Sequence, residues 1–134
     1  MAFQETAVAD TFPVAGAIAQ YICVTINTSG QVVAAAVGAD AIGVTAEGVT
    51  AAEFTAGKKV VPVALIAKGG KFPIRVSATL AVAIGDVVSV VSAGEIGPTA
   101  TTRSRIGIAL QAAGVDADQE VITVLLDKGA KVTP

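Results

Sequence analysis

The chain repeats itself at a fixed spacing. When the sequence is shifted by 64 positions, residues 25–32 fall on residues 89–96, and residues 42–44 fall on residues 106–108. After a gap of four positions, residues 61–69 fall on residues 121–129. Similarity at a fixed period indicates repeated structural units. We therefore expect two similar halves, at about residues 15–69 and 79–129, and a fold made of two similar structural units.

Each half has the composition of short β-strands. The chain is 53% hydrophobic but only 4% aromatic, and most of its apolar residues are small or β-branched. Valine favours strands because its branched Cβ fits a pleated surface. Many short strands separated by glycine-rich turns are typical of a barrel or a sandwich. We predict a mainly β fold, a compact β-barrel or sandwich, within a single domain over residues 15–127.

Local signals place several elements within this fold. Thr50 followed three residues later by Glu53 predicts a capping box and one short helix. Residues 18–26 and 59–66 are predicted strands, and Pro62 within the second indicates an edge strand or a bulge. Gly69 and Gly70 predict a two-residue hairpin turn into a strand over residues 71–76.

Residues 1–14 are predicted to form an extended N-terminal arm. They contain Phe3 and Phe12, two of only four phenylalanines, and Pro13 restricts Phe12 to extended backbone. We expect the arm, through Phe3, Gln4, Glu5 and Phe12, to contact the domain, a neighbouring copy or another protein, as in strand addition; a frayed terminus is the alternative. Residues 128–134 are predicted to be a loose tail.

The charges are distributed unevenly. Five acidic residues precede the first basic residue, and then five basic residues follow without an acid among them: Lys58, Lys59, Lys68, Lys71 and Arg75. This asymmetry fits a charged interface that orients the protein on a partner or on a neighbouring copy. The alternative is that these charges solvate strand ends and edges.

The sequence contains no recognisable catalytic or cofactor site. Histidine is absent, which removes the commonest general base and metal ligand, and a single Cys23 without histidine cannot build a zinc site. Cys23 lies in an apolar run and is predicted to be buried. We therefore expect no enzymatic activity, no metal, no cofactor and no small-molecule substrate.

Membrane and nucleic-acid partners are also not expected. No uninterrupted apolar run approaches the roughly 20 residues that a spanning helix needs. The net charge is −2, and the basic stretch lacks the interleaved aromatic residues on which nucleic-acid bases stack.

Three segments carry a resemblance to a known family. Residues 85–90 (GDVVSV), 106–112 (IGIALQA) and 121–126 (VITVLL), together with the short arm, resemble the capsid decoration, or cement, proteins of tailed bacteriophages. The resemblance covers most of the chain, from about Phe3 to Leu126. It implies a β-rich domain that associates as a homotrimer. It also implies binding to the outside of an expanded phage head, at joints between major capsid protein subunits, after synthesis in the host cytoplasm.

Besides a small hydrolase that uses a pair of carboxylates, for which the sequence shows no motif, two other functions are compatible with the sequence. One is a trimeric head-fibre or adhesin module that binds a host surface glycan, although glycan sites usually have aromatic platforms and this chain has no tryptophan and one tyrosine. The other is a structural protein of the tail or neck. On the decoration-protein hypothesis, we expect deletion of residues 1–13 to leave a folded protein that no longer binds heads.

Overall fold

The computed structural model describes residues 9–98, 104–114 and 120–127. In these residues the chain forms ten strands, one α-helix, α1 (Ala51–Thr55), and a short 3₁₀ helix over Ile66–Lys68. The first five strands are β1 (Ala9–Pro13), β2 (Cys23–Ile26), β3 (Val32–Ala34), β4 (Gly43–Thr45) and β5 (Val60–Leu65). The second five are β6 (Lys71–Arg75), β7 (Val87–Ser92), β8 (Glu95–Pro98), β9 (Gly107–Ala109) and β10 (Val121–Leu126).

The strands form two antiparallel sheets with the same internal order. The first sheet runs β1-β5-β4-β2-β3, and the second runs β6-β10-β9-β7-β8. Each strand of the first sheet therefore has its counterpart five strands later. The predicted mainly β fold is confirmed, and the two sheets form a sandwich-like arrangement and are not closed into a barrel.

The registers of the two sheets also correspond. Val24 pairs with Gly43 in the first sheet, and Val88 pairs with Gly107 in the second, at the same offset as the sequence repeat. At Gly43 an added Cβ would lie 2.5 Å from the backbone oxygen of Ala64, so only glycine lets β4 approach β5 this closely. Gly107 has the same close approach to β10.

In the last strand of each half, the observed strand pairing differs by one position from the alignment of the two halves by sequence. Gly43 pairs with Leu65, and Gly107 pairs with Leu126. Leu65 therefore corresponds to Leu126, whereas the sequence comparison aligns it with Leu125. The strands β5 and β10 both begin with the same alternation of exposed and buried residues. Because a shift of one position exchanges the two faces of a strand, the observed register places equivalent side chains in the two cores.

Two clusters of buried residues form the interior. The larger cluster combines first-half residues such as Val44 and Ile66 with second-half residues such as Ile74, Ile96 and Ile122. A smaller cluster lies inside the first half, around Val24, Val32, Val61 and Val63. The shared larger cluster packs the two halves against each other.

The strand predicted over residues 18–26 is shorter than expected. Ile18 makes an isolated antiparallel bridge with Val49, and β2 begins only at Cys23. Tyr21 lies between them with φ at 61°, in the left-handed region that interrupts a strand. The equivalent position of the second half is Gly85, which has φ at 91°.

The prediction that Pro62 marks an edge or a bulge is wrong. The strand that contains it, β5, lies between β1 and β4 in a regular register. Pro62 accepts a hydrogen bond from the Ala46 N–H (2.9 Å) and cannot return one because it has no N–H. The Gln20 side-chain amide donates to the Ala46 oxygen instead (2.9 Å), so the missing donor is replaced by a side chain.

The prediction of a hairpin at Gly69 and Gly70 is also wrong. The strands on either side, β5 and β6, belong to different sheets. The 3₁₀ helix and these two glycines, both with positive φ, carry the chain from the first sheet to the second. The predicted capping box is confirmed: the Thr50 side chain accepts from the Glu53 N–H (3.1 Å), and the Glu53 carboxylate accepts from the Thr50 N–H (2.9 Å).

Candidate interaction surfaces

The predicted arm is partly a strand of the domain itself. Residues 9–13 form β1, which pairs along its length with β5, and Phe12 packs against the smaller core cluster. Phe3, Gln4 and Glu5 lie outside the described residues. The expectation that residues 1–13 can be removed without unfolding does not fit this arrangement. The deletion would remove the edge strand β1 and the Phe12 ring that packs against the smaller cluster. A truncation that tests the arm has to end before Ala9.

Three of the five predicted interface cations are engaged within the chain. Lys58 lies 3.4 Å from a Glu47 carboxylate oxygen, and Lys68 lies 2.8 Å from Asp10. These pairs are largely exposed, so each contributes little to stability. The Lys59 ammonium lies over the Phe54 ring, 3.5 Å from its centroid, in a cation–π contact.

The other two cations lie on β6, an edge strand of the second sheet. Lys71 and Arg75 are half-buried on one face of β6, and they alternate with the buried Phe72 and Ile74. Neither forms an ion pair with the part of the chain that the structure describes. The five cations are therefore dispersed: two pair with the first-half acids Glu47 and Asp10, one lies over Phe54, and the two on β6 have no paired carboxylate among the described residues.

Arg75 also helps to join the two halves. Its backbone N–H donates to the Tyr21 oxygen (2.7 Å), and its guanidinium approaches the Gln20 oxygen (3.4 Å). The Tyr21 ring meets the edge of the Phe72 ring at a centroid separation of 6.1 Å. The single tyrosine thus packs between the halves and is not an exposed platform of the kind that glycan sites use.

Cys23 is fully buried, as predicted. Burial raises the pKa of its thiol to about 12, because desolvation disfavours the thiolate. The thiol therefore stays neutral at physiological pH and lacks the reactivity of a nucleophilic cysteine.

A groove that the sequence did not predict lies on the first half. It has a volume of about 360 Å³ and is lined by residues 15–19, Ile22 and residues 32–34, all of them uncharged. Most of its lining residues are glycine or alanine, and a Cβ added at Gly16 would meet no atom within 4 Å apart from its chain neighbours. No sequence motif marks the groove, because it arises from side chains that are missing and not from side chains that are present.

The described residues lack both a metal-binding cluster and a membrane-spanning helix. No group of three or more histidine, cysteine, aspartate or glutamate side chains is placed so that it could hold a metal ion. None of the helices in the same residues has the length and apolar character needed to cross a bilayer.

The fold has a counterpart among known protein structures. The chain superimposes on the N base of the head fibre protein gp8.5 of bacteriophage phi29 with a TM-score of 0.65 and 14% sequence identity. The match covers 96% of this chain and 100% of the phi29 chain. At this identity the likeness establishes a shared fold. No protein-family model and no curated protein sequence matches the chain.

Proposed function

We propose that this protein is a structural component of a tailed-phage virion that binds the outer surface of the head and stabilises the shell. The observation that carries the proposal is the fold: nearly the whole of the chain matches the whole of a base domain that belongs to a phage head fibre. The family resemblance of residues 85–90, 106–112 and 121–126 points independently to proteins of the phage head.

On this proposal the binding partners are the major capsid protein, at joints between its subunits, and further copies of this chain in a homotrimer. A protein that binds the assembled lattice and not the loose subunits stabilises the lattice by mass action. Symmetric copies multiply a modest affinity of each contact into avidity. No reaction, cofactor or nucleic acid takes part in this role.

The surface offers two kinds of contact for such binding. Ile84 is 70% exposed on a turn that is held by the Asp86 side chain, which accepts from the Ala83 N–H (2.8 Å). Lys71 and Arg75 supply positive charge on β6 without a paired carboxylate in the described residues. An apolar anchor and unpaired cations are the features that give an interface affinity and orientation.

Co-sedimentation with heads that lack the protein tests the proposal. Purified protein is mixed with expanded heads, and the bound amount is measured against concentration. We expect saturable binding with a copy number fixed by the lattice. Absence of binding to intact expanded heads would overturn the proposal.

Variants can locate the contact surface in the same assay. We expect removal of residues 2–8 to weaken binding while β1 and the fold are retained. The variant Lys71→Ser tests the charge on β6 without disturbing Arg75, and Lys58→Ser is its matched control because that lysine is already paired with Glu47. Equal binding by the two variants would exclude Lys71 as the charged contact.

A head-fibre or adhesin module is the second candidate function. It is favoured by the same structural match, since the counterpart is the base of a head fibre. In that case the domain would anchor a host-binding element to the head, and glycan recognition by this chain would be detected on a glycan array. A tail or neck component is the remaining alternative, and immunogold labelling of virions distinguishes it by position.

A further inference from the structure

One face of the first sheet is buried by the second half of the chain. Cys23, Val44 and Ala64 pair with one another across β2, β4 and β5, and all three are fully buried. They point away from the smaller cluster, because they alternate along their strands with Val24 and Val63, which belong to that cluster. These three residues, the first row, belong instead to the larger cluster, which contains residues of both halves.

The first row is in contact with one end of the second half, which comprises Val90 and the turn between β7 and β8. In that turn, the Gly94 oxygen accepts from the Cys23 N–H (2.8 Å), and the Gly94 N–H donates to the Ala35 oxygen (2.9 Å). The Gly38 N–H donates to the Val90 oxygen (2.9 Å), and both Val90 and Gly94 are buried. The contact therefore joins the row of one half to the end of the other, and its two surfaces are different.

The second half carries an equivalent row that remains accessible. The strand registers give each residue of the first row a counterpart on the second sheet, and these form the second row: Val87, Ile108 and Leu125. Leu125 is 38% exposed, and Val87 and Ile108 are half-buried. The solvent-facing side of an antiparallel sheet normally carries polar residues. Three apolar side chains in line across three strands therefore indicate a face that is covered by a partner.

The first half also carries an equivalent end that is open. Ile26 is the counterpart of Val90, and Gly30 in the turn after β2 is the counterpart of Gly94. Ile26 is 44% exposed and Gly30 is exposed, whereas both of their counterparts are buried. Each chain therefore presents an accessible row on its second half and an accessible end on its first half. These are the two kinds of surface that pack together within the chain.

We propose that the second row of one copy packs against the open end of the first half of a second copy, which repeats between copies the contact that joins the halves within a chain. The inference rests on the proposed self-association and specifies its two surfaces. The contact is head-to-tail, of the kind that closes into a ring, so in the proposed homotrimer equivalent contacts alternate within and between chains. The bond from the Arg75 N–H to Tyr21 is not repeated, because the counterpart of Arg75 is Pro13, which has no N–H.

Substitutions on β10 test the second row. Leu125→Glu places a carboxylate in the row, and Val121→Glu is its matched control, because both residues are exposed on the same face of β10 and each pairs with a cation of β6. Their counterparts differ: Ala64 is fully buried, whereas Val60 is 48% exposed, so position 121 lies outside the repeated contact. Self-association is measured by sedimentation velocity over a range of concentrations without heads. We expect Leu125→Glu to weaken it by at least about tenfold and Val121→Glu to leave it unchanged.

A mixture of variants distinguishes a head-to-tail contact from a symmetric one. Ile26→Glu disrupts the open end, and Val60→Glu is its control because both Val60 and its counterpart Val121 are exposed. The variants Leu125→Glu and Ile26→Glu each keep the surface that the other lacks. We therefore expect dimers when the two are mixed, although neither associates alone. Thermal unfolding verifies that each variant is folded, and serine replaces glutamate in a variant that is not.

A disulfide captures the contact even where association is weak. A Cβ added at Gly94 would lie 2.9 Å from the Ile22 Cβ, so the counterparts Gly30 and Asp86 of two copies should come within reach of a disulfide. We expect the Gly30→Cys chain to crosslink with the Asp86→Cys chain on oxidation, and the Val60→Cys chain not to. Absence of this crosslink, or equal association of Leu125→Glu and Val121→Glu, overturns the proposal. Because heads are absent, failure here leaves the co-sedimentation result to decide the proposed function separately.

Discussion

The contact between the two halves can be tested at the turn between β7 and β8. Gly94 has φ at 84°, its N–H donates to the Ala35 oxygen (2.9 Å), and its oxygen accepts from the Cys23 N–H (2.8 Å). A Cβ added there would lie 2.7 Å from the Cys23 oxygen and 2.9 Å from the Ile22 Cβ. Gly94→Ala is therefore expected to push the second half away from the first.

The first half supplies a matched control. Gly30 is the residue equivalent to Gly94, with φ at 78°, and a Cβ there meets nothing within 4 Å. Alanine at a left-handed position costs about 1–2 kcal/mol, offset by about 0.4–1 kcal/mol from the less flexible unfolded chain. Gly30→Ala should thus lower the free energy of unfolding by about 0.5–1.5 kcal/mol.

Gly94→Ala carries the same backbone cost and an added overpacking cost of about 1–3 kcal/mol. We expect it to lower the free energy of unfolding by about 2–4 kcal/mol, measured by urea denaturation of both variants under identical conditions. The difference between the two variants isolates the contact between the halves. Equal destabilisation by Gly94→Ala and Gly30→Ala would refute the packing of this turn on Cys23.

Three further results are expected. Because burial raises the pKa of Cys23 to about 12, a thiol reagent at pH 8 should leave the folded protein unmodified and label it in urea; rapid labelling of the folded protein would contradict the burial. Thr50→Ala should lower the free energy of unfolding by about 1 kcal/mol through loss of the helix cap, whereas Thr28→Ala, in an exposed turn, should change it little. The hydrogen bond from the Thr50 backbone, aided by Lys58, lowers the pKa of Glu53. The ionised Glu53 therefore stabilises the fold at a pH above the pKa of the unfolded state, and this stabilisation is lost as the pH falls through the pKa of the folded state. Glu53→Gln should therefore reduce the fall in the free energy of unfolding as the pH is lowered. An unchanged pH dependence would exclude Glu53 as a cause of that fall.

Local sequence signals predicted the helix cap and the turn after β2, although not the connection at Gly69 and Gly70. Thr50 and Glu53 form the expected capping box, and the turn after β2 is closed by Asn27, whose side-chain oxygen accepts from the N–H groups of Ser29 and Gln31. The capping box and this turn depend on a few neighbouring residues, so they can be predicted without knowledge of the rest of the fold. The repeat could also be predicted from the sequence, because Gly43 and Gly107 occupy equivalent positions where two strands pack closely.

The failures came from interactions distant in sequence. Pro62 was placed at an edge because the Gln20 side chain that completes its sheet comes from a segment before β2, far from Pro62 along the chain. No signal in the sequence indicated that Lys68 pairs with Asp10, which lies 58 positions earlier in the chain.

The candidate binding features were the least predictable. The groove is lined by residues 15–19, Ile22 and residues 32–34, which the fold brings together, and no spacing in the sequence reveals it. Phe3 was singled out from the sequence as an arm contact, and it lies outside the residues that the structure describes. The capsid-facing surface is a proposal that rests on fold likeness and on the exposed Ile84, together with Lys71 and Arg75 on β6.

Stoichiometric binding to heads tests the central claim most directly. Expanded heads of the parent phage that lack this protein are titrated with purified chain, and the bound copies are counted after sedimentation. The account predicts saturation at a copy number set by the capsid lattice, together with increased resistance of the decorated heads to heat. Heads that bind none of the protein and gain no resistance would contradict it.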